Sequence, residues 1–269
     1  MPSPTSSQKA LNSREWYDFV ASLAGLLPTI HMGGAAATDQ LLTMLSLDET
    51  SAVLDVGCGA GTTACLIAER HGAHVTGIDL SPVMIEKAQA RARQFGVQEK
   101  TTFRTADVLN LPFDDDSFDT VLIESVLVPF AGDRHAALDS MVRVLKPGGR
   151  LAANEGTIDP QAPPEYFDLL DEHPAINAAF TPESLRVLFE YAGLVNIQLQ
   201  TFHGVQIPDA SSPSNVGTLL KFMVQDYPRM LMRLLRDRRI RRVNKIEGEL
   251  KKMNEKYAGF ALIVGTKPA

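Results

Sequence analysis

Asp55 and the glycines Gly57, Gly59 and Gly61 stand in the run V-L-D-V-G-C-G-A-G over residues 53–61, with Thr62 and Thr63 directly behind. A carboxylate two residues ahead of a glycine turn attracts the cationic end of a ligand and repels a pyrophosphate. Glycines at alternate positions give a tight turn at little steric cost, so a ligand can approach the backbone closely. Thr62 to Arg70 carries apolar side chains at helical spacing. The turn is therefore expected to deliver backbone N–H groups at a helix N-terminus, as nucleotide-binding turns do. A dinucleotide fingerprint, G-x-G-x-x-G, needs its third glycine at position 62, where this chain has Thr62; the glycine comes one residue early, at Gly61. The expected ligand is a nucleotide with a positively charged aminoacyl end.

A second acid, Asp79, closes H-V-T-G-I-D at 74–79, where a doubly wound sheet places a carboxylate that accepts hydrogen bonds from both ribose hydroxyls. Ser81 and Pro82 then read as the cap and first turn of a helix. Thr101 to Ala106 predicts a third strand, Val121 to Glu124 a fourth and Arg150 to Asn154 a fifth, ending at Glu155. Glu124 falls at the carboxyl end of its strand, the edge where open α/β sheets bind ligands. Lys146-Pro147-Gly148-Gly149 predicts a turn before the fifth strand.

Three segments carry a family resemblance: Asp55 to Gly61, Asp79-Leu80-Ser81 with Met84, and R-V-L-K-P-G-G from Arg143 to Gly149. In this order and spacing they resemble the class I S-adenosylmethionine-dependent methyltransferases, closest to the broad ubiquinone/menaquinone and sterol methyltransferase-like group. The resemblance covers about positions 50 to 155. It implies an α/β fold: a doubly wound, seven-stranded, mostly parallel Rossmann-like sheet that binds S-adenosyl-L-methionine. It also implies the cofactor residues Asp55, Gly57, Cys58, Gly59, Gly61, Asp79, Leu80, Met84, Ala106, Asp107, Val108 and Glu124. Leu80 and Met84 would touch the adenine ring, and Asp107 would accept its amino group beside a backbone N–H. Leu111 to Asp119, L-P-F-D-D-D-S-F-D, belongs to the same pattern. That makes the acidic triplet a solvated turn and not a metal site, since Mg2+ draws its carboxylates from separate elements. Nucleic-acid N-methyltransferases carry N-P-P-Y or D-P-P-Y where this chain has Glu124-Ser125-Val126-Leu127, so amino-directed base methylation is disfavoured.

Ser13 to Leu27 and Thr38 to Leu45 have helical periodicity and are separated by His31-Met32-Gly33-Gly34. They predict an N-terminal helical segment, residues 1–45, with His31 either a turn residue or part of the site. Asn196 to Phe202 and Gly259 to Thr266 alternate as strands and predict an antiparallel final pair. The sheet domain is then 46–202 with 259–269. Residues 203–258 are too long for a structureless loop and predict a helical cap with an Arg-rich run from Arg233 to Lys245. An oligomerisation arm, giving a homodimer, is the competing account of the same insertion.

The formal net charge of -6 and pI near 5.5 argue against general affinity for nucleic acid. Neither a transmembrane run nor a secretory leader is legible, so a cytoplasmic protein is expected. Cys58 and Cys65, the two cysteines, are too close in sequence for a structural disulfide and have no metal-binding partners nearby. The partner is expected to be a small-molecule methyl acceptor, its atom (C, O, N or S) left open. An acceptor that carries a proton needs a base, for which His31, Glu124, Glu155 and His203 are the candidates. A non-catalytic cofactor-binding protein keeps the same cofactor residues; an NAD-dependent dehydrogenase conflicts with Asp55 and Thr62.

Overall fold

The computed structural model describes residues 31–176, 178–203 and 238–269. Seven strands form one sheet: β1 (Ala52–Val56), β2 (His74–Asp79), β3 (Thr101–Thr105), β4 (Phe118–Glu124), β5 (Leu145–Ile158), β6 (Val195–His203) and β7 (Ala258–Thr266). Their spatial order is β3-β2-β1-β4-β5-β7-β6. The first five run parallel, and β7 is antiparallel to β5 and to β6. This is the expected sheet, with the expected antiparallel pair. Strand order reverses between β1 and β4, which opens a crevice outside their carboxyl ends.

β1 and β4 are nearly continuous apolar runs because helices cover both faces of the sheet. On one face lie α1 (Gly34–Thr43), α2 (Thr62–His71) and α3 (Pro82–Phe95); Leu41, Ile67 and Ala88 pack there with Val53, Leu122 and Ala152. The other face carries α4 (Arg134–Val144) and α6 (Pro182–Tyr191), whose Leu138, Met141 and Phe189 pack with Leu54, Val121 and Ala153. A second helix pair, α5 (Pro164–Glu172) and α7 (Arg238–Tyr257), closes on Tyr166, Leu170, Ile246 and Leu250.

Successive side chains on a strand point to opposite faces. Asp55 therefore follows Val53, Glu124 follows Leu122 and Asn154 follows Ala152 onto the α1–α3 face, whereas Glu155 follows Ala153 onto the other. The pleat sorts the polar residues at the carboxyl edge before any contact is considered.

Element ends follow their local chemistry. Ser81 Oγ accepts the Met84 N–H at 3.4 Å with Pro82 in the first turn, and Thr181 and Ser184 form a reciprocal capping box at the start of α6. The Lys146–Gly149 segment differs from its expectation as a turn between elements. It lies within β5, bent at Gly148 (φ 77°), whose N–H reaches the Lys267 carbonyl at 2.9 Å. The acidic triplet is a turn, held by Arg143 on Asp115 and Lys267 on Asp116, each at 2.7 Å.

Of the Arg-rich run, the part on α7 sends Arg242 to Glu172 at 3.0 Å and Lys245 to Glu249 at 3.8 Å. The Ser13–Leu27 helix lies outside the described residues, as does most of the expected cap. No helix among the described residues is long and apolar enough to cross a membrane.

Candidate active site

The glycine turn is sewn to β2. Gly57 and Cys58 both donate to the Ile78 carbonyl (2.8 and 2.9 Å), Gly59 donates to Asp79 Oδ2 (3.0 Å) and Gly61 to the Cys58 carbonyl (2.9 Å). These four donors are used inside the protein, which corrects the expectation that they would be offered to a ligand. A phosphate would find no cradle in them. The glycines also differ among themselves. A Cβ at Gly57 would lie 2.6 Å from Val126 Cγ2 and one at Gly61 2.8 Å from Ala88 Cβ, so both are glycines because protein packs against them. At Gly59 (φ 52°) a Cβ would meet nothing within 4 Å. The turn faces open space there.

Asp79 is 3% exposed and is oriented by two backbone donors, Gly59 on Oδ2 and Ser81 on Oδ1 at 2.8 Å. Leu80 beside it is 61% exposed, an apolar wall left uncovered at the carboxyl edge. Met84 does not join that wall. At 1% exposure it is packed under Ala60, which corrects its expected contact with a ring. Ala106 N–H donates to the Asp79 carbonyl at 3.2 Å, Asp107 caps a 3-10 turn through Leu109 N–H at 3.0 Å, and Val108 is buried. Ala106 therefore borders Asp79, with Asp107 and Val108 next along the chain.

Asp55 is buried beneath the turn. One oxygen takes the Ala64 N–H, while Oδ2 has no hydrogen-bond partner among the described residues. Burial first, then the charges of Glu124 and Asp79, raises its pKa well above the usual carboxylate range. Both cysteine thiols are likewise pushed up by burial, Cys65 to about 11, so neither is an activated nucleophile.

Across the switch point, Glu124 anchors a hydrogen-bonded array drawn from four elements. Thr63 on α2 donates to Oε2 at 2.6 Å and Thr38 on α1 donates to Oε1 at 2.9 Å. Thr38 Oγ1 also lies 3.2 Å from His31 Nε2, and Asn154 on β5 places its Nδ2 3.2 Å from His31 Nδ1. His31 is 7% exposed and Asn154 fully buried. The array at this edge thus unites His31 and Glu124 as expected and adds Thr38, Thr63 and Asn154, none of which has an acid's or a base's signature in sequence.

Glu155 and His203 do not enter this array. Glu155 sits on the opposite face, where Oε1 accepts from Val126 and Leu127 (both 2.8 Å) and Oε2 from Val128 (3.3 Å). Burial raises its pKa to about 7 against the lowering by these three donors and Arg134. Its lone pairs hold the backbone of residues 126–128, and Arg134 grips the Leu127 and Phe130 carbonyls at 3.0 and 2.6 Å. His203 is exposed at the carboxyl-side end of β6, with β5 and β7 between it and Glu124.

Residues 53–149 match a family model described as a methyltransferase domain. Over 172 residues the chain is 34% identical to the O-methyltransferase rstn1 of Aspergillus nomiae, an alignment covering 63% of this chain and 76% of that relative. The chain belongs to the class I S-adenosylmethionine-dependent methyltransferases. This methyltransferase is also 37% identical over 133 residues to the 27-O-demethylrifamycin SV methyltransferase of Amycolatopsis mediterranei, covering 49% of this chain and 48% of that one. The chain spans between 46% and 76% of the length of such curated relatives. Its fold matches the geranyl diphosphate C-methyltransferase of Streptomyces coelicolor A3(2) with a TM-score of 0.65 at 20% identity, over 87% of this chain and 78% of that one. Its cofactor is S-adenosylmethionine.

Proposed function

We propose that this methyltransferase transfers its methyl group to a hydroxyl oxygen of a small molecule, with His31 as the base. The observation that carries the reading is the buried array in which His31, Thr38, Glu124, Thr63 and Asn154 meet at the carboxyl edge. A hydroxyl acceptor must lose a proton, and His31 is the neutral base candidate that the fold brings there. Glu124, held by two threonine hydroxyls, would stabilise the imidazolium. The names of the rstn1 and rifamycin relatives support oxygen as the acceptor atom. The resemblance to the ubiquinone/menaquinone and sterol group supports an acceptor of the same small, largely apolar class.

The residues present fit the cofactor. Its sulfonium and ammonium charges suit a turn surrounded by Asp55, Asp79 and Glu124, and the orphaned Asp55 Oδ2 is a buried acceptor in an acid cluster that a cation stabilises. Gly59 would let it approach the backbone, Asp79 would take the ribose, and Leu80 would cover the adenine with Ala106, Asp107 and Val108 beside it. The cofactor supplies an electrophilic methyl on positively charged sulfur. The protein aligns the acceptor, excludes water and receives the proton. Residues 203–258 are proposed as the cap over the acceptor, and the cytoplasm as the place of action.

Incubating the protein with methyl-labelled S-adenosylmethionine and a panel of phenols and aliphatic alcohols, then locating the label by mass spectrometry, tests this. His31→Ala should lower kcat by about 100-fold or more, the range of a positioned base, with cofactor affinity unchanged by calorimetry. Label found on carbon or nitrogen, or full turnover in the variant, overturns the proposal.

A further inference from the structure

Asn154 Nδ2 lies near three acceptors: the Met32 carbonyl at 3.1 Å, His31 Nδ1 at 3.2 Å and Glu124 Oε1 at 3.4 Å. Turning the amide over would set its oxygen against a carbonyl and a carboxylate, so the nitrogen faces them. An amide nitrogen only donates. The imidazole nitrogen that meets it, Nδ1, presents its lone pair to the amide, the Met32 carbonyl and Glu124 Oε1 lying farther from Nδ1 at 3.4 and 3.7 Å; a neutral ring then carries its hydrogen on Nε2. That hydrogen has its own acceptor, because Nε2 lies 3.2 Å from Thr38 Oγ1. Thr38 in turn spends its single hydrogen on Glu124 Oε1 at 2.9 Å. In this direction the line uses its shorter contacts, Thr38 giving its hydrogen to Glu124 at 2.9 Å and not to Nε2 at 3.2 Å.

We propose that Asn154 is a positioning residue: it fixes His31 in the Nε2–H tautomer and so reserves Nδ1 as the nitrogen that takes the acceptor's proton. The inference rests on His31 being the base. The amide has two hydrogens for three acceptors. When an acceptor hydroxyl donates to Nδ1, the amide can keep its bonds to the Met32 carbonyl and Glu124, so the lone pair is uncovered without opening the array. In the transfer the acceptor's O–H bond breaks and an N–H bond forms at Nδ1. The oxygen keeps the electron pair with which it would bond the methyl carbon, the carbon–sulfur bond breaking with its own pair left on sulfur. The imidazolium so formed already points its Nε2–H through Thr38 toward the Glu124 carboxylate. Burial makes the arrangement firm, since Asn154 is 0% and His31 7% exposed.

The tautomer can be read without turnover. In cofactor-free protein labelled with 15N-histidine, the His31 ring is assigned by its loss in His31→Ala. Its Nδ1 should have the shift of an unprotonated nitrogen and its Nε2 that of a protonated one. Asn154→Asp, which replaces the donor by an acceptor, should move the proton to Nδ1 and lower kcat by about 100-fold, within the range of a positioned base, leaving the KM for cofactor within a few-fold. Asn154→Leu, checked for folding by its thermal transition, should give a mixture of tautomers. A protonated Nδ1 in the parent protein, or an unchanged tautomer in folded Asn154→Asp and Asn154→Leu, overturns the proposal. If the tautomers behave as stated but His31→Ala keeps full turnover, the role of His31 as base fails and takes the catalytic consequence with it; the tautomer assignment stands.

Discussion

Asp55 and Glu155 are both fully buried carboxyls at the carboxyl edge, and burial raises the pKa of each, yet they lie on opposite faces and meet opposite surroundings. Glu155 is given three backbone donors and an arginine nearby; Asp55 is given one donor, two neighbouring acids and an oxygen with no partner among the described residues. A buried carboxyl that the fold satisfies is a fastening. One that the fold leaves wanting is the acid that the proposed reading pairs with a cationic ligand. The position of an acid at a strand end therefore does not tell its role; the donors already assigned to it do.

The largest expected effect comes from Glu155→Ala. It strands three buried N–H groups and should cost roughly 3 kcal/mol of stability, as unsatisfied donors do, measured by denaturant unfolding, while the folded fraction binds cofactor with parent affinity. A stable variant that has lost cofactor binding would put Glu155 in the site and erase the contrast. The pH dependence of the parent sharpens it. Because the folded-state pKa of Glu155 is raised from 4.5 to about 7, its contribution is full below the unfolded value and is lost as pH rises through about 7. The decline over that window should be about 3 kcal/mol by linkage. Asp55, raised by the same cause, adds a loss of the same sign. Thermal melts that are flat across this window in the parent would contradict both assignments.

On the other face, Asp79→Ala should weaken cofactor binding by about tenfold or more, since each hydrogen bond to a charged group contributes roughly 1.5–3 kcal/mol. Calorimetry with a folded variant decides; an unchanged dissociation constant would move the ribose elsewhere. The smallest stability effect belongs to Gly59→Ala. Its left-handed backbone should cost about 1 kcal/mol, with no overlap to add to it, whereas Gly61→Ala must also displace Ala88. Affinity for cofactor should fall in Gly59→Ala beyond what its melting temperature explains.

The half of this edge proposed to hold the cofactor was legible in sequence because each of its residues lies in one short run. Asp55 and Gly59 share a strand and its turn, and Asp79 closes the next strand. Local pattern was enough to align them. The other half depends on register and pleat. Glu155 was a candidate because it carries a charge, yet Glu124 pairs with Asn154 across β4 and β5, and one residue's shift along a strand changes the face. Thr38 and Thr63 are ordinary helix residues until the helices are packed. Alternation counted from a buried Ala152 would have placed Asn154 beside Glu124, had the pairing of β4 with β5 been fixed. The glycines were found but two were misread: local sequence shows that a turn is needed, and only packing shows that Gly57 and Gly61 answer to Val126 and Ala88.

The strand latest in chain order, β7, lies between β5 and β6 in the sheet. During synthesis, β5 therefore waits with one edge unpaired until residue 266 has been added, and β6 has no partner strand to join. The edge of β5 on which Asn154 and Glu155 sit side by side is the seam that β7 seals, through the pairs Asn154 with Leu262 and Glu155 with Ala261. A nascent chain can assemble its glycine turn early, but the half of the edge that holds Asn154 is completed only when the seam closes. An exposed strand edge of that length is also a template for pairing with another chain. Ribosome stalling between β6 and β7 would thus leave a species that holds the elements of a cofactor site, lacks the sealed seam and tends to aggregate.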